Sequence, residues 1–285
     1  MDENRKSSSF CEGDRGQAEA ATAWQAEHFP QVAVSLGVKG GDFLPVTEAW
    51  RRDGDMVAGL LDYQNRFATG MDDRVRAAHL ISFYSHHLSI AAAAVYLGTM
   101  LVPDLSPDGL AFRFEPVVPH DRISPMEMRP SDISRLHFRL ERFVRGDDRA
   151  LLFHDLFVAS VLPVIDALHA RTGLSPVAQW RLAADGIAGA FLEVGTALGD
   201  EERAMAEALA IINRTGSPLF SNAVRYQRIE AVCDGVAVER VFRLRSGCCL
   251  YYRTEGGDFC DVCVLLDTKT QRDRLHAHIE RTGGL

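Results

Sequence analysis

Four of the six cysteines fall within sixteen residues, in the stretch RLRSGCCLYYRTEGGDFCDVC that runs from Arg243 to Cys263. Cys248 and Cys249 are adjacent, ten residues separate them from Cys260, and two more separate Cys260 from Cys263. This spacing restricts the backbone before any ligand is considered. Neighbouring side chains in an extended strand point to opposite faces, so Cys248 and Cys249 converge only if the chain bends. Gly247, immediately before them, permits such a bend, and Gly256-Gly257 allows the intervening loop to fold back on itself. The Cys260-Asp261-Val262-Cys263 turn is the usual way to aim two sulfurs at one centre.

The rest of the composition says which chemistry those thiols meet. The opening, MDENRKSSSFCEGDRGQAEAATAW, has no apolar run, so no secretory signal is expected there. The longest apolar stretch, Ile90 to Val102, is too short to span a bilayer and follows His86 and His87, so a buried helix is expected and no membrane span. The expected location is the cytoplasm, where thiols stay reduced and clustered cysteines bind metal more often than they pair. A net charge of −8 argues against a nucleic-acid partner, which needs a basic surface to neutralise phosphates.

Three assignments compete for the four thiols. Structural zinc uses four thiolates, but its ribbons offer two C-x2-4-C pairs, and an adjacent CC pair fits that habit poorly. A redox dithiol needs two cysteines and leaves two unexplained. A [2Fe-2S] cluster with four cysteine ligands suits soft thiolates in a reducing compartment.

Along the chain, residues 1–18 are polar and Ser-rich and are expected to form a disordered tail. QVAVSLG reads as a strand, TEAWRRDGDMVAGLLDYQNRF as one helix capped by Thr47, and DDRVRAAHLISFYSHHLSIAAAAVYLGTML as a longer helix broken near Ser85–Ser89. LAFRFEPVV alternates like a strand, and SDISRLHFRLERFV has an amphipathic helical pattern. RALLFHDLFVASVLPVIDALHARTG reads as a buried helix kinked at Pro163 and stopped by Gly173. Ser175 then caps a helix with Pro176 at its first position, and Asp200 caps the next, with Gly216 after its end. Beyond Pro218 the texture becomes β-rich: Asp234-Gly235 marks a hairpin, followed by the cysteine segment and a polar helix from DTKTQRDRLHAHIERTGG. The expected fold class is α+β: a mainly helical body over residues 19–224 with a small sheet, and a C-terminal iron–sulfur unit over residues 225–285.

CCLYYRTEGGDFCDVC resembles the C-terminal signature of the FhuF-like ferric siderophore reductases, a [2Fe-2S] family with a CC-x10-C-x2-C ligand pattern. Leu250-Tyr251-Tyr252-Arg253 and Gly256-Gly257 share in the likeness, while HARTGLSPVAQW upstream is only loosely similar. The likeness departs at Gly247, where a small polar residue is expected, and at Val264, where proline is. It implies that Cys248, Cys249, Cys260 and Cys263 ligate the cluster. It further implies one-electron reduction of siderophore-bound iron, which turns a tightly held ferric ion into a labile ferrous one.

The remaining residues agree with that reaction class. No G-x-S-x-G, H-E-x-x-H or G-x-G-x-x-G pattern supplies a nucleophile, a zinc site or a dinucleotide fold. Electrons are therefore expected from outside, from a ferredoxin or an NAD(P)H-dependent reductase. Between Arg225 and Arg253 six arginines face three acids, a local excess of positive charge that suits an anionic cluster, an anionic chelate or an acidic donor. Arg243, Arg245 and Arg253 are the candidate substrate-binding residues. His86, His87, His276 and His278 are expected to pack or face solvent, Cys11 and Cys233 to be free thiols, and Trp180, Tyr251 and Tyr252 to serve packing. Without the resemblance, a zinc-stabilised binding module and an electron carrier with no chelate substrate remain the rivals.

Overall fold

The computed structural model describes residues 12–37, 42–52, 54–115, 135–233 and 235–282. Its centre is the crossing of two long helices, α4 (Asp73–Gly98) and α6 (Pro176–Leu198). α4 starts where the Asp72 carboxylate accepts a bond from the Val75 amide, and α6 where Ser175 does the same for Ala178 with Pro176 behind it. The two helices meet closely because Gly186 carries no side chain: a Cβ there would stand 2.6 Å from Ser85 Oγ. α4 is continuous through the expected break. Ser82 and Ser85 donate their hydroxyls to the carbonyls of Ala78 and Ile81 on the preceding turn, so they leave the helix intact.

Around this crossing lie α1 (Glu12–His28), α3 (Asp55–Gln64), α5 (Arg149–Thr172) and α7 (Glu201–Ile212). α1 begins inside the expected tail, whose first eleven residues are outside the described set. α5 runs as one helix through Pro163 and ends at Gly173, whose φ of 68° is the left-handed stop expected there. Asp200 stands at the head of α7 but spends its carboxylate on Arg203 and makes no capping bond. The single helix expected from Thr47 is two: α2 (Val46–Ala49) follows Pro45, and α3 opens after Gly54, whose amide is held by the Arg51 carbonyl at 2.9 Å.

A four-stranded sheet covers one side of α4, in the order β1 (Ala33–Leu36), β5 (Arg135–Leu140), β4 (Leu110–Glu115), β2 (Leu44–Pro45). β1 and β5 are parallel and the other pairs antiparallel. The expected helix over SDISRLHFRLERFV is therefore wrong: its described part is β5, central in the sheet, followed by β6 (Phe143–Val144), which pairs with β3 (Val102–Pro103). Leu136, Phe138 and Leu140 alternate into the core with a period of two, while Leu136 and Leu140, four apart, mimic a helical face. Trp50, Tyr84, Phe112 and Phe138 cluster where sheet meets α4, with Tyr84 meeting Trp50 and Phe138 edge to face at centroid distances of 5.0 and 5.8 Å. Each such ring contributes about 1.5–3 kcal/mol by leaving water.

The C-terminal part is slighter. β7 (Arg225–Cys233) and β8 (Val236–Leu244) form an antiparallel hairpin closed by Cys233 opposite Val236. Gly235 takes the positive φ of 80° that the tight turn requires; Asp234 lies outside the described residues. α8 (Thr268–Thr282) lies against the hairpin, and Ile229, Phe242, Leu244, Leu275 and Ile279 make a separate small core. The architecture is α+β and mainly helical. By length and composition α4 and α5 could each cross a membrane, but both are packed into the body, with 83% and 56% of their most apolar windows buried.

Candidate metal centre

β8 delivers the chain to the thiols, and α6 fixes the delivery. Asp185 of α6, only 2% exposed, accepts bonds from the Ser246 amide (2.8 Å), the Ser246 hydroxyl (3.1 Å) and the Gly247 amide (3.0 Å). The two residues ahead of Cys248 are thus clamped to the body. Gly247 makes the clamp sterically feasible, since a Cβ there would lie 2.8 Å from Leu182 Cδ2 and 2.9 Å from the Leu182 amide nitrogen. Its role is close approach. The bend that the adjacent cysteines require occurs at Leu250 instead, the one non-glycine residue with positive φ among those described (60°). A left-handed leucine costs about 1–2 kcal/mol, and its amide points at Cys248 Sγ, 3.4 Å away. A 3-10 turn over Tyr251–Arg253 follows, and the Cys263 amide closes onto the Cys260 carbonyl at 2.9 Å.

The four thiols gather, but not around one point. Among the described residues no three of His, Cys, Asp and Glu stand close enough to hold a single ion. Cys249 and Cys260 face each other closely enough to share a proton, which holds Cys249 below the ordinary thiol value and pushes Cys260 above it. Cys248 is raised chiefly by burial, with lesser contributions from Cys249 and Cys263. Four soft thiolates in one loop are the donor set of a [2Fe-2S] group, and Cys248, Cys249, Cys260 and Cys263 supply it.

A cavity of about 450 Å³ opens beside these thiols. α4 supplies His79, Ser82, Phe83, His86 and His87 to its wall; α6 supplies Leu182, Asp185, Gly186 and Glu193; Arg243, Arg245 and Tyr251 complete it with Cys249 and Cys260. Burial, with Arg245 nearby, lowers His79 to about 4, and burial, with His86 beside it, lowers His87 to about 3. Both imidazoles are therefore neutral at neutral pH. His86 Nε2 lies 3.4 Å from the Glu193 carboxylate. Burial raises Glu193, but His86, Arg243 and His87 outweigh it and hold the carboxyl below its ordinary value.

The expected basic patch divides. Arg243 and Arg245 turn inward and share Asp185, at 4.0 and 3.5 Å. Arg245 also reaches Ser82 Oγ at 3.5 Å, and the thiols of Cys249 and Cys260 stabilise its charge against burial. Arg253 turns away to Asp72 at 2.5 Å, and Arg228 pairs with Glu239 at 2.7 Å and with Glu202. Arg240 lies over the Phe242 ring. Trp180 is core, and Tyr252 is half exposed against Phe259. His278 bonds Asp261 at 3.2 Å, and Cys233 donates to the Ile279 carbonyl away from the site; Cys11 lies outside the described residues.

Sequence reasoning missed Asp185, His79 and Glu193, and treated His86 and His87 as packing. Their helical spacing was a usable signal, since His79 and His86 are seven apart and Asp185 and Glu193 eight. It was masked because both helices are apolar on nearly every side. The structure also contains a hydrogen-bonded Ser217–His154–Asp155 series, at 2.6 and 2.8 Å. Ser217 Oγ simultaneously accepts the Leu219 amide at 3.0 Å, so the series ties the segment after α7 to α5.

Fold and donor set together define the class, an α+β iron–sulfur protein whose thiol loop is clamped to a helical body. Residues 245–265 match the family model of the FhuF 2Fe-2S C-terminal domain. That segment is similar to the FhuF 2Fe-2S C-terminal domain, and the cofactor it carries is a [2Fe-2S] cluster. The match spans the cysteine loop and its flanks; the helical body lies outside it. No curated protein matches the chain.

Proposed function

We propose that the protein is a ferric siderophore reductase of the cytoplasm, with Cys248, Cys249, Cys260 and Cys263 as the ligands of its [2Fe-2S] cluster. The cluster, when bound, supplies single electrons. The observation that carries the reading is the cavity of about 450 Å³ whose wall includes two of those four thiols. An electron carrier needs a surface near its cluster; it does not need a cavity walled by helices at that surface. The volume lies within the range of small-molecule sites, about 300–1,000 Å³.

In this reading the body over residues 19–224 provides the chelate wall and the unit over residues 225–285 provides the thiols. Arg243 and Arg245 hold oxygen donors of the chelate on the side facing Cys249 and Cys260. Phe83 and Leu182 exclude water, and the neutral rings of His79 and His87 add no charge to the wall. Arg253, engaged with Asp72, is dropped as a substrate residue. An external donor, a ferredoxin or an NAD(P)H-dependent reductase, refills the cluster.

Single-turnover mixing tests this. The anaerobic, dithionite-reduced protein is mixed with ferric hydroxamate, citrate or catecholate chelates in the presence of a ferrous trap. Reoxidation of the cluster with one ferrous ion trapped per electron is the expected result. If no chelate class releases iron while the cluster cycles normally with dithionite and air, the protein is a carrier and the reductase reading is wrong.

A further inference from the structure

The cavity beside the thiols contains two imidazoles that take no part in the electron step. His79 and His87 stand on α4, and both line the wall. His79 Nδ1 lies 2.6 Å from Gln64 Oε1, and the Gln64 amide nitrogen donates to the Leu60 carbonyl at 2.9 Å, so Gln64 presents its oxygen to the ring. His87 Nδ1 lies 2.8 Å from the Phe83 carbonyl. A carbonyl oxygen only accepts, so in both neutral rings the proton sits on Nδ1 and Nε2 carries a lone pair. Among the described residues no group bonds to either Nε2.

We propose that His79 and His87 select the chelate by its frame: their Nε2 atoms accept hydrogen bonds from N–H groups of the organic chain around the iron, so the site takes a ferric chelate with secondary amides in its linkers. This rests on the reductase reading and adds the feature by which the substrate is chosen. It concerns the frame and not the iron-binding groups, so hydroxamate and catecholate chelates qualify alike where they carry such amides. A ferric citrate complex, whose periphery is carboxylate oxygen, offers neither ring a donor.

The rest of the wall supports the assignment. Each ring is held by an aromatic neighbour, His79 against Phe67 with centroids 4.8 Å apart and His87 against Phe83 at 4.0 Å. Eight residues separate them along the helix, which places them close to one face and about 12 Å apart along the axis. Between them Ser82 is occupied: its hydroxyl donates to the Ala78 carbonyl and receives Arg245. Asp185 is spent on Ser246, Gly247 and the two arginines, and Glu193 meets His86. The two imidazole nitrogens are thus the acceptors that α4 leaves to a ligand. Once a ligand displaces water from them, a lone pair left unpaired is penalised, so a site of this kind rejects a frame that lacks the donors.

Gallium(III) complexes, which share the shape of ferric ones and take no electron, separate binding from turnover. The probes are two trishydroxamates of equal length, one with secondary amides in its linkers and one with esters in their place, a change that removes N–H without adding bulk. Calorimetric titration of the oxidised full-length holoprotein is expected to show the amide complex binding about tenfold more tightly. His79→Phe and His87→Phe should each narrow that preference. Equal binding of the two complexes by the wild type overturns the inference, as does a preference that both variants retain in full. His79→Phe leaves Gln64 Oε1 without a partner; should that variant fail to fold, His87→Phe, which gives up only a bond within its own helix, decides together with the wild type. If neither gallium complex binds and no ferric chelate releases iron, the reductase reading falls and this inference with it. Equal binding with iron release intact overturns the selection by frame alone.

Discussion

The α4–α6 crossing and the cysteine loop lie side by side, yet they are held by different means. The crossing is organised by shape, with interlocked apolar side chains, a glycine contact and rings at fixed tilts, and it requires no outside component. The loop has little apolar content of its own. Its order comes from a buried carboxylate in the neighbouring helix, a strained leucine and bonds from α8 to its backbone. The five-residue core beneath it steadies the hairpin and α8 and takes Val262 of the loop against it, while Gln271 of α8 donates to the Cys263 carbonyl at 3.1 Å. Stability in this molecule is thus concentrated in the body, and the electron chemistry sits on a segment whose geometry is borrowed from that body.

Changes that touch one region and spare the other test the contrast. The largest effect is expected for Cys249→Ser or Cys260→Ser: bound iron falls by about tenfold or more, seen by iron and sulfide analysis, while thermal unfolding of the body followed by far-ultraviolet dichroism hardly moves. Asp185→Asn comes next because it reaches both regions. Removing one partner of a buried ion pair costs about 3 kcal/mol, and the same change loosens the clamp on Ser246 and Gly247. Denaturant unfolding and cluster half-life should therefore fall together, and a loss of only one would separate what the structure joins. Gly186→Val strikes the crossing itself; overpacking costs about 1–3 kcal/mol and lowers the melting temperature. The cluster absorption per folded molecule should stay unchanged.

The pH dependence falls on the body side. His79 and His87 have folded-state values of about 4 and about 3, below the ordinary 6.5. The unfolded chain therefore binds more protons as pH falls, so their stabilising contribution is complete above about pH 6.5 and is lost progressively toward pH 4 and below. By pH 5 each imidazole costs up to about 2 kcal/mol, measurable by denaturant unfolding of the wild type against His79→Gln, whose curve should be flatter. The smallest effect is reserved for Arg253→Ala. Its pair with Asp72 is 41% and 47% exposed, an arrangement that contributes less than about 1 kcal/mol, and chelate reduction should be unaffected. A large loss of turnover in that variant would return Arg253 to the substrate site.

The same contrast explains what could be read from the sequence. The thiol spacing, the cap at Ser175, the stop at Gly173 and the hairpin turn at Gly235 are local, because each is set by a residue and its neighbours within a few positions. The cluster type was legible for the same reason. Failures arose where distant partners decide. Leu136 and Leu140 satisfy both periods, and only pairing with β1 and β4 selects the strand. Ser85 looks like a helix breaker until its hydroxyl finds Ile81. Asp185 reads as a stray acid in an apolar helix, since its partners, Ser246 and Gly247, lie some sixty positions further on. The six arginines looked like one patch because sequence proximity was taken for spatial proximity; β-strand alternation and the 3-10 turn send them in different directions.

The grip of Asp185 on Ser246 and Gly247 has a bearing on maturation. A helix synthesised earlier presents the anchoring carboxylate before the cysteine segment emerges, so the nascent loop docks onto an existing platform. The cysteine segment is thus positioned by the polypeptide itself, at the end nearest α6, through two backbone amides and one hydroxyl.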